Sequence, residues 1–457
     1  MSTTDTTTNP YLIGNFGPVS EEVTAHALDV TGVVPAALDG MLLRNGPNPV
    51  GATGPNHHWF LGDGMIHGVR LRGGRAEWYR NRWVRTERLA ANSSFTAAPL
   101  APVRDTGGAG AVNVIGHAGR ILALGEVGLP WEIDDVLDTV GEYSFGDRLS
   151  TNMTAHPKID PVSGEMVFFG YDFGPTFLRY HVADAAGSLV RSEEIATAGS
   201  TMMHDFGVTQ SRVVFMDLPV VFDLDVFGDG GEMPFRWSED HGARLGVMPR
   251  DGRSEDVIWV EIDPCYVFHP LNSHDEVGTD GTATGRIVMQ VVRYPKMFAT
   301  SLIGPYEPGL GSLVEWVIDP GEGTVRSTVL DDRPQEFPRV SPLVETLPNR
   351  YGYAVQLTGR GFESGGILKH DLRERTVTEF SPGAGRSAGE AVFVPDPEGE
   401  AEDDGWLLAP VYDASTDRSD VVVLDARDLT LVATVHLPVR VPFGFHGNWI
   451  PSGDGGN

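Results

Sequence analysis

Almost nowhere does this sequence stay apolar for longer than one β-strand. Short runs at 120–124, 166–169, 212–216, 287–292, 351–357, 406–412 and 421–424 are rich in β-branched and aromatic residues, and Gly, Pro, Asp or Asn closes them. Runs of that kind read as strands. The 56 glycines and 32 prolines supply turns at close intervals. Helical periodicity is scarce, and the segments near 129–138 and 297–304 are the only helical candidates. Many short, evenly spaced strands make a sandwich, a barrel or a propeller. The 457 residues suit seven four-stranded blades of about 65 residues each. No tight repeat is visible, so the blades of such a propeller have diverged. The expectation is one all-β domain over 1–457 whose ends close on each other, with 1–20 a partly disordered arm. The acidic stretch 396–405 reads as an exposed loop.

Charge narrows the partners. The formal net charge is −29, which repels nucleic acid and disfavours attraction to anionic lipid. A small, neutral molecule is the expected ligand. Hydrophobic residues make up 41%, enough for a sizeable core, and no run approaches the ~18–20 apolar residues that span a bilayer. The start is polar and lacks the basic and apolar regions of a signal peptide. The single cysteine, Cys265, leaves no partner for an intrachain disulfide and reads as a small buried hydrophobe. These features point to a cytoplasmic protein.

Fourteen histidines are present. Four share a setting at a strand end or in the loop leaving it: His156 in Thr-Ala-His-Pro-Lys, His204 in Met-His-Asp-Phe-Gly, His269 in Phe-His-Pro and His446 in Phe-His-Gly-Asn-Trp. Neutral imidazole is a good ligand for iron, zinc or copper. The wide gaps between them exclude a helix-borne pair and a zinc-finger clip. They are the gaps of a radial fold in which different blades aim side chains at one axis. Spacing alone does not carry a metal site, since a histidine in a loop is usually a packing residue.

The blocks around these histidines, with Gly-Met-Leu-Leu-Arg-Asn-Gly-Pro-Asn-Pro at 40–49 and Phe-Leu-Gly-Asp-Gly-Met at 60–65, resemble the carotenoid cleavage oxygenases, a family that includes stilbene-cleaving dioxygenases. The resemblance runs from about Gly40 to the end, with several blocks in order. It implies a seven-bladed β-propeller with an axial metal site, a cap of loops and short helices over one face, and Fe(II) held by His156, His204, His269 and His446. It further implies that Glu126 supports His204, Glu336 supports His269 and Glu390 supports His446. The expected reaction is cleavage of a carbon–carbon double bond of a carotenoid or apocarotenoid with O2, giving two carbonyl products. No dinucleotide or phosphate-loop fingerprint is present.

A polyene or stilbenoid needs an apolar tunnel, for which Phe60, Phe173, Phe268, Phe298 and Phe443 are candidates, with Val112 and Gly125 near the metal. The stilbene cleavers of the family carry a lysine just before the first supporting glutamate, where it meets a phenolic oxygen. Gly125 stands there in this chain and cannot donate that bond, which turns the expectation toward carotenoids; a stilbene or phenylpropene is the alternative. Many members carry an Asn-Thr pair where this chain has Ala111 and Val112, which keeps the bulk near the metal and loses the hydroxyl. The apolar stretch 218–227 is a candidate entrance that touches a membrane surface.

Overall fold

A computed structural model describes residues 9–51, 57–91, 108–174, 176–228, 233–300, 310–358 and 364–453, apart from the side chains of 227 and 228. Seven antiparallel blades form a β-propeller. The first runs outward from Gly447–Pro451 through Gly40–Pro47 and Gly64–Arg72 to Arg75–Trp83, with Thr24–His26 added outside. The next five begin at their inner edges with Asn113–His117, Lys158–Ile159, Gly207–Val208, Tyr266–Val277 and Gln335–Arg339, each followed outward by three more strands. In the seventh, Arg386–Ala388 and Val392–Pro395 share the inner edge, and Val30–Gly32 pairs outside Leu431–His436. The ring is therefore closed twice. A C-terminal strand enters the first blade at the axis, and an N-terminal strand finishes the seventh at the rim.

Blade position explains the apolar pattern. A middle strand is covered on both faces by neighbouring blades, so Met166–Tyr171 is buried at every residue. An outer strand has one wet face, and in Leu189–Ile195 exposed positions alternate with half-buried ones between two buried ends. The segment at 129–138 is no helix. Trp131 and Ile133 are buried on either side of half-buried Glu132 on a short strand, Trp131–Ile133, Leu129 is buried just ahead of it, and a turn follows. Residues 297–300 form bends, and 301–304 lie outside the described residues. The acidic stretch is a hairpin loop as expected, yet it also grips the neighbouring blade: Glu402 accepts the backbone N–H groups of Arg350 and Tyr351, and Asp403 pairs with Lys369.

One face of the ring is capped. A ribbon of Val220–Phe222 and Phe235–Trp237, two single turns of 3-10 helix at Pro10–Leu12 and Gly14–Phe16, and the turn at 57–62 cover it. Tyr11 is buried, and Phe16 packs edge-on to Trp59 and Phe443. Among the described residues, no helix is long and apolar enough to cross a membrane. Cys265 is buried, and burial pushes its thiol pKa up, which suits a packing residue.

Candidate metal centre

Each of the four histidines sits at the axial end of an innermost strand. His156, His204 and His446 lie just ahead of Lys158–Ile159, Gly207–Val208 and Gly447–Pro451, and His269 lies within Tyr266–Val277. Local irregularity aims the groups inward. Strand register slips between Val267 and Pro270, which places His269 on a bulge. A second slip follows Glu336, where Phe337 takes φ +54°. Glu390 lies between the two inner-edge segments of the seventh blade. Bulges re-aim side chains in this way. Backbone contacts fix the remainder: the His446 N–H donates to Val112 O at 3.0 Å, and the Asn113 amide donates to Ala155 O at 2.8 Å. Gly447 is required here, because a Cβ would lie 2.3 Å from Leu43 O.

The four side chains converge, with one ligand nitrogen from each, all within 4.8 Å of one another. Nε2 of His204 lies 2.9 Å from Nε2 of His156 and 3.1 Å from Nε2 of His269. On the outer side, the Nδ1–H groups of His204, His269 and His446 donate to Glu126, Glu336 and Glu390 at 2.8, 2.6 and 2.8 Å. A carboxylate only accepts, so each of these imidazoles is protonated on Nδ1 and, when neutral, presents a bare lone pair at Nε2. Lone pairs facing each other at 3.1 Å repel unless a cation stands between them. Nitrogens at right angles around a metal about 2.1 Å away would be about 3.0 Å apart. The donor set fits a metal ion.

Electrostatics favour the neutral, ligating form of His156 and His446. Burial and the neighbouring imidazoles push the His156 pKa well down, and burial takes His446 to about 3 despite Glu390. For His204, burial pulls down, but the Glu126 carboxylate outweighs it and the net shift is upward. Burial opposes the charge of Glu390, yet His446 and Arg339, 3.7 Å away, hold its carboxyl down to about 2.

Beyond these pairs lie residues that the sequence reading passed over. The Tyr171 hydroxyl donates to the free oxygen of Glu126 at 2.8 Å. The Gly447 N–H donates to the second oxygen of Glu390 at 2.8 Å. His156 has no glutamate; its Nδ1 lies 3.8 Å from Asp205, which Lys158 holds at 2.9 Å. Asp205 and Lys158 sit inside the motif blocks quoted above, so their signal was present without a role attached to it.

Above the histidines is an apolar cavity of about 1150 Å³, its open mouth included. Phe60, Phe173, Phe268, Val112 and Gly125 line it, together with Trp59, Phe235 and Phe445. Phe298 and Phe443 do not. Phe298 packs behind Phe60, and Phe443 stacks on Trp59 and meets Phe337, so both form a layer behind the wall. Apart from histidines, the ionisable or hydroxyl-bearing groups on the wall, among the described residues, are Glu126 and Tyr171, bonded to each other.

The fold is a propeller, and the site is a group of four histidines that could hold a metal ion on its axis. The family model described as retinal pigment epithelial membrane protein (RPE65) matches residues 16–451. A carotenoid cleavage oxygenase of Mycobacterium tuberculosis is 41% identical, covering 97% of this chain and 98% of that protein. A carotenoid 9,10(9',10')-cleavage dioxygenase of Arabidopsis thaliana is 33% identical, covering 96% and 89%. Among solved structures, the lignostilbene dioxygenase of Pseudomonas brassicacearum superposes with a TM-score of 0.87 at 27% identity, covering 97% of this chain and 98% of that one. The chain belongs to the RPE65/carotenoid cleavage oxygenase family, and it is an enzyme of that oxygenase type.

Proposed function

We propose that this chain is an Fe(II)-dependent dioxygenase that cleaves a carbon–carbon double bond of a carotenoid or apocarotenoid with O2. The observation that carries the proposal is the all-nitrogen set of His156, His204, His269 and His446, three of which open onto an apolar cavity. When bound, Fe(II) supplies the activation of O2. The polypeptide does the rest. Glu126, Glu336 and Glu390 fix the tautomer and direction of three imidazoles and leave the ligand set uncharged. Tyr171 holds Glu126 in place from the cavity side. Phe60, Phe173, Phe268 and Val112 offer an alkene a dry, shaped surface, which also keeps water from reactive species.

Carotenoid cleavage is favoured by the activities for which the relatives at 41% and 33% identity are named. It is also favoured by Gly125, which puts no side-chain donor into the cavity. The stilbene reading rests on the likeness to the lignostilbene dioxygenase. Incubation of the iron-loaded protein with a panel of apocarotenals, carotenes and hydroxystilbenes, followed by mass spectrometry, decides between them. Aldehydes from the polyenes are expected. Products from the stilbenes alone would replace the first reading with the second, and no product from either would remove both. We also infer a weak contact between the 218–227 entrance and lipid, because Leu224 is exposed beside the Phe173–Phe222 stack; liposome flotation without binding would remove it. The single, buried Cys265 suits a cytoplasmic setting.

A further inference from the structure

The histidine cluster is a partition between two cavities. His269 and His446 line both, His204 lines only the apolar one, and His156 lines only the other. That second cavity follows the propeller axis from the uncapped side. Its outer wall includes the exposed residues Arg120, Pro161, Pro342 and Pro451, and its floor is His156. Between them the wall mixes apolar residues with the oxygens of Glu345, Asp205, Asn113 and Asn448 and with the cations Lys158 and Arg339.

A ferrous ion reaches a protein hydrated, and each water it sheds must be replaced by another oxygen or nitrogen. The apolar cavity offers no such series of oxygens: among the described residues its one carboxylate is Glu126, bonded to His204 and Tyr171, and the rest of that wall is almost wholly apolar. Moving a charged ion through such a space is strongly unfavourable. The axial channel offers carboxylate oxygens in sequence. Glu345 comes first; it accepts the Ile159 N–H at 3.3 Å, and two carboxylate oxygens have lone pairs left over after one such bond. Asp205 comes next, 3.8 Å from His156 Nδ1, with Lys158 fixing its position. Carboxylates suit a hydrated divalent ion, and imidazoles retain it more firmly at the end of the path.

We propose that the metal enters through this axial channel, with Glu345 and Asp205 as relay ligands, and that the capped cavity is reserved for the organic substrate. This inference rests on the metal-centre reading above. A consequence is that metal exchange does not require an empty substrate cavity.

The test uses the full, metal-stripped chain and Co2+ as a spectroscopic probe, with uptake followed by stopped-flow absorbance and release by transfer to a chelator. Glu345→Lys places a cation beside Lys158 and Arg339, and Val340→Trp narrows the channel from a wall position away from the histidines. Both variants are expected to slow uptake and release together by about tenfold or more, the scale on which local charge alters ion encounter. The equilibrium affinity and one cobalt per chain are expected to stay unchanged. A change in the site itself would alter affinity, so the paired slowing separates a route from a structural defect. Circular dichroism checks folding, and Glu345→Lys carries the test alone if the tryptophan variant misfolds. Uptake and release within about twofold of the parent would overturn the channel while leaving the metal centre intact. A parent chain that binds no cobalt at the histidines would remove the metal centre itself.

Discussion

Glu126 and Glu390 support histidines at the same 2.8 Å distance, yet replacing each with glutamine should have very different consequences. In Glu126→Gln the amide oxygen still accepts from His204. The amide N–H then meets Tyr171, whose hydroxyl can turn from donor to acceptor, so every hydrogen bond is retained. In Glu390→Gln the second oxygen is replaced by an NH2 that faces the Gly447 N–H, donor against donor. Glu390 is also the anion beside Arg339, and it raises the pKa of Arg44, a buried guanidinium that burial drags down to about 10. An unmet buried donor costs about 1–3 kcal/mol, and stripping the partner from a buried charge costs about 3–5 kcal/mol. The side chain of Glu390 is 0% exposed, against 21% for Glu126, so water cannot repair the loss. Glu390→Gln should therefore destabilise the metal-free protein by about 3–5 kcal/mol. Glu126→Gln should stay within about 1 kcal/mol of the parent in stability and lose about tenfold in metal affinity, the usual effect of weakening an outer partner. Urea unfolding of the metal-free proteins, followed by competitive metal titration, measures both quantities. Equal destabilisation by the two variants would refute the reasoning, because it would mean that the outer oxygen of Glu390 has no special partners.

Acid should act through buried histidines. Burial takes His67, His181 and His446 to about 3 and His370 to about 4. Their folded pKa values lie below the unfolded value, so their contribution is complete above about pH 6.5 and is lost as pH falls toward 3–4, at about 1.4 kcal/mol per pH unit for each; denaturant midpoints of the metal-free protein across pH 4–7 check the slope. Gly447→Ala should cost about 3 kcal/mol or more, since its Cβ would clash with Leu43 O at the seam of the ring; a Tm within a degree of the parent would argue against that contact. Removing the metal with a chelator should lower stability by about 2.7 kcal/mol relative to protein held at a hundredfold excess of metal over Kd; calorimetry with and without chelator reads it, and identical transitions would show that nothing binds the folded state preferentially.

How much was legible in the sequence depended on whether a feature is local. Each histidine and glutamate sits in a short block of characteristic neighbours, so the blocks gave them away. The pairing His204–Glu126 skips a blade and His446–Glu390 joins the first blade to the seventh where the ring closes, and only the resemblance supplied them. Asp205 and Lys158 were inside those blocks, but their meeting depends on how two neighbouring blades stack. The misread segment at 129–138 shows a different failure. Leu129, Trp131 and Ile133 already alternate as a strand does, and the acidic turn that follows hid how short that strand is. The bulges at His269 and Glu336 follow from pairing register, which a single strand does not encode. Phe298 and Phe443 were sensible wall candidates by composition, and only packing assigns them to the layer behind Phe60 and Trp59.

The strand that shuts the ring, Gly447–Pro451, follows directly from His446. During synthesis, this segment leaves the ribosome after the strands of every blade have already been made. The fourth imidazole therefore cannot arrive before the propeller is able to close, and a stalled or truncated chain offers at most three. The residue that completes the four-histidine group and the strand that completes the first blade are thus neighbours in the chain, so the group is whole only where the ring is shut.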